Sequence, residues 1–514
     1  MKFLCIFTSI ILLSIMATFS AFSQGYEIKI SINNKNDTVL LGYYFAKKEV
    51  HRIKNTCVLN KSGQGIFKGE EKLPKGLYFL AMNGQLLSEF IVGDEQTFEI
   101  KIDTDNLENK TTVKGSRNNE IFFDYQQMSH KAGLRQRDLQ KELETADSIN
   151  KIRIYEEFRT LNTEHVNVFW KIIEENKSLY ISKYLNAQFL PMNMRVPAVN
   201  PSPWQEALPD DVATWTRDSL NRYQYNWWRE HFFDNLNIYD PDMLRTPLYE
   251  EKITEYMSKV IPLHIDSICA EADRILDKVK DNEEIFRCIL AILYNYYSPG
   301  EGKFLIYENI WTHIVDKWYI PFAKWNTEES IENMKKDVEK KKPTLIGNYA
   351  PPMEMLVVLP TDHFKAAALD TTIKNDLYAG IIIDDFRKDL LKSKFTILLF
   401  WEFTCSHCKH AIQELYDLWE ENKDKGLQVI TVQTYLTDEI KRDKGKWIDF
   451  INEKNFFGPG WINAWSPYSH KFREYYMGIA VPVMYLLDEN GIIIFRNIGI
   501  ETLKGFFEHQ TDVN

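Results

Sequence analysis

The sequence predicts three folded regions in series: an antiparallel β-sandwich, a central α-helical region and a C-terminal α/β domain. Three observations carry this. Runs that alternate apolar and polar at period two fill residues 24–116. Apolar residues then recur at three- and four-residue spacing over 117–342, and from 343 apolar runs alternate with amphipathic helical stretches. A chain of 514 residues is long enough for that many domains.

Ahead of the first region, Met1 to Ser23 has the make-up of a secretory signal. Lys2 gives a positive start, Phe3 to Met16 an apolar core, and Ala21-Phe22-Ser23 a small-x-small cleavage site. That core is too short and too early for a membrane anchor, and no later stretch approaches the ~20 apolar residues a spanning helix needs. Cys5 follows no lipobox, so no lipoprotein is expected. The expected location is the periplasm, where disulfides persist. Lys and Arg number 62 against 73 Asp and Glu, a net charge of -11. That balance argues against nucleic acid as a partner, since phosphate binding needs a basic surface.

In the first region, Tyr26 to Ile32 and Phe98 to Ile102 alternate as half-buried strands do, and Leu77 to Met82 is a short continuous apolar run. Turn-rich clusters at Asn33–Asp37 and Asn83-Gly84 separate such runs, which predicts a small antiparallel sandwich. Gly63-Gln64-Gly65 has a phosphate-loop look, but no helix follows it, so a hairpin turn is expected.

In the second region helices are predicted over Asp138–Phe169, Tyr249–Val279, Asn282–Tyr297 and Glu328–Lys342. Asn200-Pro-Ser-Pro203 is expected to divide the bundle. His165, His231, His264 and His313 are scattered and form no metal-ligand pattern, while Glu250-Glu251 and Glu328-Glu329 read as solvated faces. Cys269 and Cys288 flank a turn near Asp281, offset by roughly 9 Å at ~1.5 Å per residue. That exceeds the ~7 Å limit for a disulfide, so these two and Cys57 are expected to be buried and unpaired. After the charged run Lys335 to Pro343 the composition shifts, and a linker fits there.

The third region carries the chemistry. Cys405-Ser406-His407-Cys408 follows the apolar run Thr396–Trp401 and opens an amphipathic helix, Cys408 to Asn422. Two thiols on the first helical turn at the end of a buried strand read as a dithiol/disulfide redox pair. The helix N-terminus there offers N–H groups and partial positive charge to a thiolate at Cys405. A zinc site would need a second Cys pair, which is absent, and Cys405, Cys408, His407 and His410 are spaced too tightly to close a tetrahedron. No metal and no cofactor are therefore expected. Downstream come the apolar run Gln428–Val432, helical stretches Lys446–Lys454 and His470–Tyr476, a hairpin of Val483–Leu487 and Ile492–Arg496 turning at Asn490-Gly491, and a helix Glu501–His509. The first two apolar runs, joined by a helix, form a βαβ unit.

These pieces resemble the thioredoxin superfamily over about residues 343–514, and most of all its exported TlpA/ResA-like branch. The resemblance rests on Phe400-Trp401, Cys405-Ser-His-Cys408, Gly478-Ile-Ala-Val-Pro482, Leu487-Asp-Glu-Asn-Gly491 and a lead-in strand at Ile346–Pro351. It implies a thioredoxin-like fold with a helical insertion before the proline loop, and a thiol-disulfide oxidoreductase. Cys405 would be the nucleophile and Cys408 the resolving thiol. Pro482 would be a cis-proline facing them, with Val481 and Trp401 contacting substrate. The alternative for Pro482 is an ordinary strand-initiating proline. The upstream regions are similar to uncharacterised envelope domains.

Three positions depart from the pattern. The helix-kinking proline is replaced by Gln413, and the two acids that assist the resolving thiol in different branches fall at Leu399 and Ala411. Glu402 is then the candidate base, with a solvated strand-end residue as the alternative. The peroxide-reducing signature is absent, since its Thr and Pro positions hold Glu402 and Leu398. A His407 imidazole beside Cys405 favours the reduced form, hence an oxidising pair. The expected partners are protein thiols or disulfides and a membrane or soluble redox partner. The alternative is an envelope partner-binding protein whose thioredoxin-like domain is slow or vestigial.

Overall fold

The computed structural model describes residues 25–33, 37–105, 111–188, 208–300, 303–358, 381–434, 440–465, 471–476 and 481–510. The signal segment, the Asn200–Pro203 break and Gly478 to Ala480 lie outside the described residues. Among the described residues no helix is long and apolar enough to cross a membrane. The chain divides into two compact units, residues 1–262 with 278–292, and residues 263–277 with 293–514.

The first unit starts with eight strands: β1 (Tyr26–Ile32), β2 (Thr38–Phe45), β3 (Lys47–Val58), β4 (Gln64–Gly69), β5 (Gly76–Met82), β6 (Gln85–Val92), β7 (Thr97–Ile102) and β8 (Thr111–Lys114). They form two four-stranded sheets, ordered β4-β1-β7-β8 and β3-β2-β5-β6. Alternate residues of β1 (Ile28, Ile30, Ile32) and of β2 (Val39, Leu41) meet Tyr78, Leu80, Phe90 and Phe98 in one shared core. The expectation of a wholly antiparallel sandwich is corrected at one place, because β1 and β7 pair in parallel, Ile30 opposite Ile100. The chain visits the other sheet between them, so both strands enter in the same direction. Gly63 closes the β3–β4 turn with a φ of +73°, its N–H donating to the Asn60 carbonyl at 2.9 Å. Cys57, expected to be buried, is only half-buried on edge strand β3. Its Sγ accepts the Ile66 N–H of β4 at 3.2 Å.

Helix α1 (Arg117–Thr145) is docked by an amide side chain. Asn119, fully buried, accepts the Ile91 N–H and donates to the Ile91 carbonyl, each at 2.7 Å. Because β6 is an edge strand, Asn119 occupies the place of a further strand there. Helix α2 (Ser148–Glu175) returns antiparallel, with Arg135 bound to Glu157 and Ser129 to His165. The single helix expected over Asp138–Phe169 is therefore two. Asp147 breaks it, its backbone extended and its carboxylate capping the Asn150 N–H at 2.9 Å. Helices α3 (Tyr180–Asn186), α4 (Arg217–His231) and α5 (Tyr249–Glu255) follow. The helix expected over Tyr249–Val279 stops at Ile261, which is extended ahead of Pro262 as the proline ring demands, and resumes as α6 (Ile265–Val279). Helix α7 (Glu283–Tyr297) comes next.

In the second unit, α8 (Tyr307–Ile314) and α9 (Glu328–Lys341) precede β9 (Met355–Val358), β10 (Ile381–Ile383), β11 (Phe395–Trp401), helix α10 (Ser406–Asn422) and β12 (Leu427–Gln433). Then come α11 (Ile440–Glu453), β13 (Trp461–Trp465), α12 (Lys471–Tyr476), β14 (Val483–Asp488), β15 (Ile493–Arg496) and α13 (Ile500–Gln510). The strands form one seven-stranded sheet, ordered β10-β9-β13-β12-β11-β14-β15. Strand β11 is parallel to β12 and antiparallel to β14. Its side chains alternate between two cores: Ile397, Leu399 and Trp401 face α10, α11 and α13, whereas Leu398 and Phe400 face α12. A strand covered on both faces has to be apolar throughout, which is why its sequence does not alternate.

Two further expectations are corrected. The insertion ahead of the proline contributes a strand, β13, as well as helix α11, and β13 adds in parallel to β12. The lead-in at Ile346–Pro351 makes a single bridge, Tyr349 to Ile492, instead of a strand. The segment is held by Asn309 of α8, which donates to the Ile346 carbonyl at 2.8 Å and accepts its N–H at 3.2 Å. Beside it Glu308, 10% exposed, pairs with Arg496 of β15, 9% exposed, and with Lys341 of α9.

Candidate active site

Strand β11 ends at Trp401 and α10 begins at Ser406, so the sharp connection between them sets the two thiols. The Cys405 N–H donates to the Glu402 carbonyl at 3.1 Å, which folds the turn, and the Cys405 carbonyl accepts the Lys409 N–H at 3.1 Å as the first helical bond. Cys405 is thus the N-cap residue, with extended backbone and no side chain capping the helix, and the first turn holds no acid. A sulfur at that position faces N–H groups that a thiolate can accept. Cys405 is half-buried. Cys408, one turn on, is fully buried in the core with Trp401, Ile412 and Leu415. Burial pushes the Cys408 thiol from 9.0 up to about 12; a backbone hydrogen bond from Glu402 opposes that, and the nearby Cys405 and Glu402 add to it.

Glu402 is half-buried, and its carboxylate lies 3.5 Å from the Thr434 hydroxyl. Thr434, just past β12, is itself anchored, both its N–H (2.9 Å) and its hydroxyl (3.1 Å) donating to the Trp401 carbonyl. Arg473 of α12 donates to the Thr434 carbonyl. Thr434 was not foreseeable, since only the β11–β12 register, Trp401 opposite Gln433, brings it to Glu402.

The Val481–Pro482 peptide is cis. Strand β14 begins at Val483, opposite Phe400, so Pro482 falls level with Trp401 at the end of the sheet from which the dithiol turn springs. Val481 and Cys405 both pack against the core that holds Cys408. His407, Lys409 and His410 are exposed on α10. One placement overturns an expectation: Trp401 is 0% exposed and packs on Phe450 at 5.9 Å, so it contacts the core and not a substrate. Its odd position along β11 turns it under α10. Among the described residues, no group of three or more His, Cys, Asp or Glu is arranged to hold a metal ion.

A family model described as a domain of unknown function, DUF4369, matches residues 26–122, which run from β1 to the first turns of α1. No curated protein matches the chain. Among solved structures, the chain is similar to a thioredoxin-like protein from Bacteroides caccae, at 16% identity and a TM-score of 0.40 over 62% of this chain and 97% of that one. It is also similar to a domain of a possible thiol-disulfide isomerase from Cytophaga hutchinsonii, at 31% identity and a TM-score of 0.24 over 33% and 94% of the two chains. A third is the thioredoxin domain of a thiol-disulfide oxidoreductase from Bacteroides vulgatus, at 18% identity and a TM-score of 0.22 over 31% and 96%.

Proposed function

We propose that the chain is an exported thiol-disulfide oxidoreductase of the thioredoxin superfamily, TlpA/ResA-like in its C-terminal part, acting on envelope proteins. One observation carries the reading: of two thiols one helical turn apart, Cys405 reaches the surface at a helix N-terminus while Cys408 is sealed in the core. That asymmetry divides the labour. Cys405 attacks the substrate disulfide and is held as a mixed disulfide; Cys408, which only an intramolecular partner can reach, then displaces the substrate. Deprotonating a thiol raised to about 12 calls for a base, and Glu402 is the carboxylate in place to take the proton. Pro482 and Val481 present backbone to the incoming peptide, and His407 favours the reduced form. The exchange needs no cofactor, only a membrane or soluble partner that resets the pair. The site acts within the periplasm, after removal of the signal near Ser23.

The test is turbidity-monitored insulin reduction by the full mature chain with dithiothreitol. Activity above a Cys405→Ser control supports the reading. Activity equal to that control replaces it with a partner-binding protein carrying an inactive thioredoxin-like domain.

A further inference from the structure

The surroundings of Cys405 carry a sign. On the first two turns of α10, His407, Lys409 and His410 are all exposed, and among the described residues none of them pairs with a carboxylate. The Lys409 ammonium rests 5.4 Å from the ring centroid of Phe450 on α11, which keeps it beside the dithiol. Arg473, bonded to the Thr434 carbonyl, adds a guanidinium at the same end of the sheet. The helix N-terminus contributes partial positive charge of its own. The facing carboxylates do not cancel this. Glu402 is half-buried beside the Thr434 hydroxyl, Glu414 lies a further turn along α10, and exposed Asp449 on α11 follows exposed Lys446 by three residues. A rim of exposed N–H donors that includes the Lys409 ammonium, on a chain of net charge -11, is a local feature, and it attracts the opposite charge.

We infer that the dithiol selects protein disulfides flanked by acidic residues, with Lys409 and His410 as specificity residues; this rests on the redox reading above. The chemistry balances within the two molecules. Cys405 thiolate forms a bond to one substrate sulfur and expels the other as thiolate. Cys408 loses its proton, bonds to the Cys405 sulfur and expels the second thiolate. The protein dithiol is oxidised, the substrate disulfide reduced, and the released protons end on the substrate thiols.

Two ten-residue peptides, each closed by one disulfide and flanked by Asp in one case and Lys in the other, discriminate. The second-order rate of oxidation of the reduced full-length chain is followed by tryptophan fluorescence. Each rate is divided by that peptide's rate with neutral mercaptoethanol, which removes differences in intrinsic reactivity. The inference expects the Asp-flanked peptide to react about tenfold faster at low salt, with the ratio falling toward one in concentrated NaCl. It also expects the ratio to vanish or invert in the exposed double variant Lys409→Glu/His410→Glu. Equal rates at low salt, or a ratio unmoved by salt or by the variant, overturn the inference while leaving the oxidoreductase reading intact. Failure of both peptides to oxidise the chain overturns both.

Discussion

Cys408 decides how the site depends on pH. Its proton is held more tightly folded, at about 12, than at the ordinary 9.0. A thiol with a raised value stabilises the fold fully below the unfolded value and gives that stability up as pH climbs from 9.0 to about 12. Cys269 and Cys288, also pushed to about 12 by burial, contribute in the same window. Urea midpoints of the reduced chain should therefore fall across that window, and fall less steeply in Cys408→Ala; identical slopes would refute the assignment. In the proposed exchange, the same burial makes the resolving step the one that needs help. Glu402→Gln should slow resolution by about 10²-fold and let the mixed disulfide accumulate, visible as a gel-shifted adduct under non-reducing conditions. Thr434→Val, which removes the hydroxyl beside the Glu402 carboxylate together with its bond to the Trp401 carbonyl, should slow it less and shift its pH profile. On the same reading, His407→Ala should lower the reduction potential by about 30 mV in glutathione buffers, the equivalent of a tenfold change.

Among the elements, two helices use one device. Asn119 in α1 and Asn309 in α8 are each the third residue of their helix, and each grips both polar groups of one backbone residue, Ile91 and Ile346. Asn119→Ala leaves a buried N–H and carbonyl without partners, so it should destabilise the chain by about 2–4 kcal/mol in urea titration, whereas exposed Gln126→Ala should not. Neither contact is legible in the sequence, because it joins residues tens of positions apart. What was legible is local. The run at β11, the cysteines at its end and the helix behind them are contiguous, and apolar periodicity fixed all three. Strand β13 was missed because Trp461–Trp465 follows Gly458-Pro-Gly460 and reads as the tail of a helical insertion. The parallel pairing of β1 with β7 has no sequence signature at all, as strand direction is set by where the chain travels between them.

For the molecule as a whole, the helices of residues 293–344 belong with the C-terminal sheet. The Glu308–Arg496 pair is nearly dry, and removing one partner strands a buried charge, about 3–5 kcal/mol. A fragment beginning at residue 343 should therefore melt about 10 °C below residues 263–514 by circular dichroism, a difference that equal melting points would disprove. The sequence placed a linker at this junction because its lysines look solvated, and Lys341 turns out to complete the buried pair.

The central position of β1 in its sheet has a kinetic side. Strand β1 is flanked by β4 and β7, so its two neighbours arrive roughly 40 and 70 residues later in the chain. Emerging ahead of both during synthesis, it offers Ile28, Ile30 and Ile32 to any passing strand until they have appeared. High contact order of this kind makes closure of the N-terminal sandwich a slow event, and it marks that strand as the segment a holdase chaperone would shelter.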